Sequence, residues 1–233
     1  MARDLGNTAR MILSYRAADI SINYLPQRTH YWYSRCKLAT DPLYARVGEA
    51  LRDTADSLLD LGCGIGLLAH TLRRQGFGAS YLGVDNDEGK IASARDAASR
   101  ARLADVTFRA IDLARDAFPP HHGSVALLDV LQFLAPENAR KLLANVARCI
   151  GPESRLVIRT GLDRAGARMR FTRAVDTGSR RIGWMNAAPS WYPARDELEA
   201  LFAEHRLRAR FEPLTGLLPF NNWLIVAERD KAG

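Results

Sequence analysis

The sequence predicts an α/β protein: a doubly wound, mostly parallel sheet with helices on both faces, preceded by a helical segment and interrupted after its fifth strand. Three observations lead there. Short apolar runs alternate with longer amphipathic stretches between residues 57 and 160, the order expected of βαβ units. The runs are close to continuously apolar, as strands covered on both faces require. The first run also leaves through "DLGCGIG", where Gly62, Gly64 and Gly66 stand at every second position.

In chain order, residues 1–50 read as a helical N-terminal cap, with Met11, Ile12, Tyr15 and Ile22 as apolar positions. "SLLDL" (57–61), "SYLGVD" (80–85), "VTFRAI" (106–111), "VALLDV" (125–130) and "RLVIRT" (155–160) read as strands, with helices near 65–75, 87–102 and 136–149 between them. Residues 161–192 break the alternation and end in "GWMNAAPSWYP". A connection of that length is expected to carry function, and we read it as an insertion on the substrate side. "PARDELEALFAEH" (193–205) is a helix with Pro193 near its start. "RLRARFEPL" and "NNWLIVAER" supply two more strands. The expected organisation is a cap over 1–50 and one α/β domain over 51–233.

Composition narrows the class. In 233 residues the net charge is +7, and only four of the 33 basic residues are lysine. No apolar stretch approaches the roughly 18 residues of a membrane span. The first 20 residues lack an apolar secretion core, so no signal peptide is expected. Cys36, Cys63 and Cys149 are widely spaced, without CxxC, and the five histidines make no HxxxH pair. Neither a disulfide framework nor a metal centre is expected, and a reducing cytoplasm suits such a chain. Residues 159–185 hold seven arginines against Asp163 and Asp176, which reads either as a solvated face or as a site for an acidic substrate, carrier protein or RNA.

The glycines carry the strongest functional signal. At a strand-to-helix turn they permit backbone angles closed to other residues and let a ligand approach the main chain, and ligands of open α/β sheets sit at the carboxyl ends of the strands. A nicotinamide fingerprint needs G-x-G-x-x-G, but the third glycine comes one residue early, at Gly66. A phosphate-cradling G-x-x-x-x-G-K-[ST] is absent.

D-x-G-x-G-x-G, Asp60 to Gly66, resembles motif I of the class I S-adenosylmethionine (SAM)-dependent methyltransferases. The resemblance implies a Rossmann-like seven-stranded sheet, mostly parallel with the last strand antiparallel, and SAM as cofactor with S-adenosylhomocysteine as product. Gly62, Cys63, Gly64 and Gly66 would form the floor of the site. Asp60 would orient loop amides or accept from the SAM amino group. Asp85, ending the second strand, would hold the ribose hydroxyls, with Asn86 against the adenosine. Asp112 would accept from the adenine amine, and the Leu113 N–H would reach the ring. "LLDVLQFL" resembles motif IV of small-molecule methyltransferases and would place Asp129 and Val130 on the methionine side, with Gln132 near the transferred methyl. Within "HYWYSRCKL" (30–38), Tyr33 would cover the cofactor and Arg35 would meet its carboxylate. His30, Tyr33 and Gln132 are the candidates for a catalytic role. Other readings stay open: Asp85 as a helix cap, Asp112 as the cap of a turn, Asp129 as a structural polar residue, and Tyr33 as packing for the cap.

"YWYSRCKLATDPLY", "LVIRTGLD" and "PFNNWLIVAE" further resemble bacterial methyltransferases associated with aryl-polyene or lipid assembly. That implies a small aromatic or acyl acceptor, free or on an acidic acyl carrier protein. Trp184, Met185, Trp191 and Tyr192 would wall its pocket, and Arg164, Arg168 and Arg170 would meet an acidic group on it. The alternatives are an RNA methyltransferase, for which "DVLQ" lacks the [DN]-P-P-[FYW] of enzymes that grip an exocyclic amine, and a non-catalytic SAM-binding protein.

Overall fold

The computed structural model describes residues 17–163, 191–216 and 221–230. Seven strands form one sheet: β1 (Leu58–Leu61), β2 (Tyr81–Asp85), β3 (Val106–Ala110), β4 (Ser124–Leu128), β5 (Arg155–Gly161), β6 (Leu207–Pro213) and β7 (Asn222–Arg229). Their order is β3-β2-β1-β4-β5-β7-β6. β1 to β5 pair in parallel, and β7 runs antiparallel between β5 and β6. The expected topology and the reversed last strand are therefore present. The order turns back between β1 and β4, so the switch point of the sheet lies at the exit of β1.

The central strands β1, β4 and β5 are buried nearly throughout because both faces are covered, whereas the edge strands β3 and β6 alternate buried with exposed polar residues. Alternate residues fall into two clusters. Leu59, Leu61, Val125, Leu127 and Ile158 join helices α5 (Pro136–Cys149) and α6 (Arg195–Glu204) through Leu142, Val146, Leu198 and Phe202. Leu58, Ala126, Val157 and Val226 join α2 (Leu43–Ala50), α3 (Leu67–Arg74) and α4 (Glu88–Arg100) through Val47, Leu68, Leu72 and Ile91. Local signals set the helix starts. Asp87 caps α4 by accepting the Lys90 N–H at 3.0 Å, and Pro136 opens α5, where its missing N–H is not needed.

The N-terminal segment is helical where described. Residues 17–21 are helical, Ile22–Tyr24 form a 3-10 turn, and α1 (Arg28–Thr40) precedes α2. Ile20 and Tyr24 pack with Ile65, Leu67 and Ala97, and Tyr31, Tyr33 and Leu38 of α1 lie against them. The Tyr24 hydroxyl donates to the Ile65 carbonyl at 2.8 Å. The cap thus closes onto the glycine turn itself. Most of the region read as an insertion, with Trp184, Met185, Arg164, Arg168 and Arg170, lies outside the described residues. Two of its expected aromatics are described. Trp191 packs against the α5–α6 side of the core and donates its indole N–H to the Leu134 carbonyl at 2.7 Å; Tyr192 lies over Gly161.

Candidate active site at the carboxyl ends of β1, β2 and β4

Gly62, Gly64 and Gly66 all have left-handed backbones, at φ +79°, +56° and +79°, where an L side chain is strained. Two of them are also fixed by packing. A Cβ on Gly66 would lie 2.7 Å from Phe108 Cζ, and one on Gly62 would strike Val130. A Cβ on Gly64 would meet nothing within 4 Å, so the middle glycine borders open space.

The turn is tied to β2. Gly62 and Cys63 donate to the Val84 carbonyl at 2.7 and 2.9 Å. Gly64 donates to Asp85 Oδ2 at 2.9 Å, and Asp85 Oδ1 accepts the Asp87 N–H at 3.0 Å. An ionised carboxylate offers about four acceptor positions. Those left over are the ones a ribose would use, and Asn86 is exposed beside them.

Beneath the turn, Asp60 is buried and accepts the Tyr81 hydroxyl. The loop-amide role expected of Asp60 is not what is observed; Tyr81 takes one oxygen, and Oδ1 has no partner among the described residues. Burial pushes the Asp60 carboxyl up to about 7, the Tyr81 bond pulls it back, and nearby Asp85 raises it further. Burial also pushes the Cys63 thiol up.

After β3, Asp112 caps its own turn. Its Oδ1 accepts the Ala114 N–H at 2.9 Å, and its N–H donates to Asp116 at 2.7 Å. Leu113 is half-buried against the core. β4 stops at Leu128, two residues earlier than expected, because Asp129 turns the chain at φ +60°. Val130 then packs on Gly62, and the following 3-10 turn, Leu131–Phe133, holds Gln132 buried.

Asp129 belongs to a charge network not apparent in the sequence. Arg159 of β5, 6% exposed, donates through Nη1 to Asp129 at 2.9 Å and to Asp41 at 2.8 Å. Lys37 of α1 sits 2.8 Å from Asp41 and 3.8 Å from Asp129. Burial works against the Arg159 charge, but Asp129 and Asp41 outweigh it and raise its pKa. Burial likewise disfavours the Asp41 carboxylate, yet Lys37 and Arg159 hold it below its ordinary range. Tyr44 lies against the same groups, its phenol pushed up by burial first and by Tyr33 and Asp41 after it. The network joins the cap to the exits of β4 and β5. Arg159 had been counted in the basic 159–185 stretch; it is instead an internal, paired cation.

The cap residues divide. Tyr33 faces the exit of the glycine turn. Arg35 is half-buried on α1 and makes no ion pair among the described residues. His30 Nδ1 lies 2.8 Å from Ser93 Oγ on α4, on the β2 side rather than beside Asp129, and burial lowers its pKa. His121 precedes β4 and bonds the Ser124 carbonyl, at the opposite end of the sheet. The residues missed were Lys37, Asp41, Tyr81 and Arg159. The available signal was a lone arginine inside the apolar run "RLVIRT", since a cation in a central strand needs carboxylates.

A glycine turn at the switch point, clasped by the acid that ends the neighbouring strand, in a sheet whose seventh strand alone is reversed, defines a class I methyltransferase fold. Residues 58–153 match the family described as methyltransferase domain. Two curated relatives are carboxy-S-adenosyl-L-methionine synthases: one from Shewanella loihica, 31% identical over 130 residues, 50% of this chain and 52% of the relative, and one from Pseudomonas paraeruginosa, 33% identical over 109 residues, 43% and 42%. The chain spans about half the length of these relatives or less. Among solved structures, magnesium protoporphyrin IX methyltransferase from Synechocystis, with bound S-adenosylhomocysteine, aligns over 81% of this chain and 82% of its own at 18% identity and TM-score 0.61. An O-methyltransferase family protein from Burkholderia thailandensis aligns over 89% and 62% at 18% identity and TM-score 0.61. The chain thus carries a methyltransferase-domain match over residues 58–153 and shares its fold with methyltransferases solved with bound S-adenosylhomocysteine or SAM.

Two outcomes follow from the electrostatics. Arg159→Met leaves Asp41 and Asp129 facing each other without their shared guanidinium. Urea unfolding is expected to show a loss on the order of 3 kcal/mol, partly restored when Asp41→Asn and Asp129→Asn are added. The second concerns pH. The folded Asp60 value, about 7, lies above the ordinary 3.8, so the native state holds this proton more tightly than the unfolded chain does. Its contribution to stability is greatest in acid and falls as pH rises toward 7. His70, lowered by burial to about 4, acts oppositely over the lower part of that window. The stability of Asp60→Asn relative to the parent therefore isolates Asp60, and it should move in the variant's favour between about pH 5 and about pH 8. A flat difference would refute the buried, protonated carboxyl.

Proposed function

We propose that this protein transfers a methyl group from SAM to a small-molecule or carrier-bound acceptor of aromatic or acyl character. The observation that carries the reading is the left-handed turn pinned by Asp85 with open space above Gly64. The residues fit the cofactor. The turn leaves its main chain approachable, Asp85 retains acceptor positions for a diol, and the buried Asp60 Oδ1 lacks a donor of the kind an ammonium group supplies. Asp112 and Leu113 would flank the adenine and Tyr33 would cover the site, with Arg35 near the carboxylate.

When bound, SAM supplies a methyl on a positively charged sulfur that departs with the bonding pair as S-adenosylhomocysteine. The chain's contribution is to hold donor and acceptor in line and to exclude water. The cap does the second by closing Tyr24 and Tyr33 onto the turn. Asp129, 35% exposed beside Val130, is the polar group placed to orient an acceptor at the exit of β4, and Arg159 fixes its position. Gln132 lies in the turn just beyond it. Among the described residues no helix is long and apolar enough to cross a membrane, and the three cysteines are free thiols, which suits a cytoplasmic enzyme.

The curated relatives favour a second reading, in which the chemistry modifies SAM itself rather than passing its methyl to an acceptor. Mass analysis of the nucleoside product separates the two: S-adenosylhomocysteine supports transfer, a carboxylated sulfonium the alternative. Calorimetry tests the site. SAM should bind with measurable heat, and a folded Asp85→Ala protein should bind at least about tenfold more weakly, because both the diol acceptor and the Gly64 clasp are lost. Unchanged affinity would remove the assignment.

A further inference from the structure

Three large apolar side chains stand out among the described residues by their exposure: Ile22 at 57%, Leu25 at 50% and Trp32 at 60%. All three belong to the cap. Ile22 and Leu25 bracket the 3-10 turn, and Trp32 lies on α1, which packs beside it. The inner side of the same segment is satisfied: Ile20 and Tyr24 are buried, and Tyr31 and Tyr33 pack against the glycine-turn cluster. Trp32 makes an edge-on contact with Tyr31, ring centres 5.1 Å apart, but projects outward. Among the described residues the fold therefore buries one side of the cap and leaves Ile22, Leu25 and Trp32 exposed on it.

Cations flank it. Residues 20–40 contain no acid; of their cations, Lys37 belongs to the Arg159 network and Arg35 is half-buried. Arg28 is exposed, and Arg100 of α4 reaches across to donate to the Asn23 carbonyl at 2.7 Å, placing a further guanidinium beside the 3-10 turn. Of the acids nearby, Asp19 pairs with Arg74, Asp87 with Lys90, Asp96 with Arg100, and Asp41 with Lys37 and Arg159.

We propose that this face of the cap seats the protein on an anionic lipid surface. Protruding tryptophan, leucine and isoleucine side chains flanked by arginines are the composition that partitions into the headgroup boundary, where the apolar tips bury and the cations meet acidic headgroups. An acidic protein partner would satisfy the charges, but a docked helix needs a recess, and these side chains are knobs. Seated this way, the cap that closes over the glycine turn lies between the active site and the bilayer, so an acceptor of lipid character would enter from the membrane side. The surface proposal stands on the cap alone and does not require the methyltransferase reading.

The test is co-sedimentation of the full chain with phosphatidylcholine vesicles and with vesicles containing about a third phosphatidylglycerol. Binding is expected to the anionic vesicles and to fall several-fold at high salt. Trp32→Ala and the pair Ile22→Ser, Leu25→Ser should each reduce the bound fraction about tenfold, and Arg28→Glu about fivefold or more. Because these positions are exposed, unfolding temperature and SAM affinity should stay unchanged, which separates loss of the surface from loss of the fold. Failure to sediment with anionic vesicles, or binding that the Trp32 and Ile22/Leu25 variants leave intact, would overturn the proposal. So would an acidic soluble protein, such as an acyl carrier protein, protecting the cap from exchange where vesicles do not.

Discussion

The site is organised by one carboxylate. Asp85 ends β2, and its two oxygens take amides from both sides: Gly64 in the turn after β1 and Asp87 at the cap of α4. Without that acceptor the Gly62–Gly66 turn would have only the Val84 carbonyl to hold it to the neighbouring strand. With it, the exits of two adjacent strands and the starts of two helices become one rigid corner at the switch point of the sheet. Under the proposed reading the same residue would also serve a bound diol with its remaining lone pairs, so that one side chain would both organise the site and recognise its ligand.

The central strands were legible because both sheet faces are covered there, which makes β1, β4 and β5 compact, largely apolar words between glycines and charges. The glycine turn was legible because its constraint is local: positive φ at three alternate positions leaves no other residue comfortable there. The Arg159 network was not. Its members come from α1, the α1–α2 junction, the exit of β4 and the end of β5, and only the Lys37–Asp41 spacing shows along one helix. Nothing in the pattern of residues 37, 41, 129 and 159 says that they meet. A charge in a buried strand announces that partners exist without naming them. The expected Asp112 role illustrates the reverse case: a residue type suited to a ligand also suited its own turn, and the local bond formed.

The site divides along the switch point. On the β1–β2 side the groups are backbone amides, the Asp85 carboxylate and the Asp60 carboxyl, which burial pushes up to about 7. On the β4–β5 side they are full charges, two cations against two anions. Such a closed network is not a strong source of net stability, since desolvation offsets most of the attraction. What it does supply is a preferred arrangement, because any other docking of the cap would take Asp41 from the buried Arg159 and leave Asp129 as its one carboxylate partner. The cap is therefore located by charge at one end and by aromatic packing at the other, where Tyr24 bonds Ile65.

That balance bears on how an acceptor is chosen. Because Lys37 and Arg159 are already matched by Asp41 and Asp129, the exit of β4 offers no surplus charge to an incoming group. An acidic acceptor would compete with Asp129 for the same guanidinium. A neutral acceptor carrying an O–H or N–H group can instead approach the half-exposed Asp129 without disturbing the network. Under the proposed reading, selection at this edge would thus rest on shape and on one hydrogen bond rather than on charge.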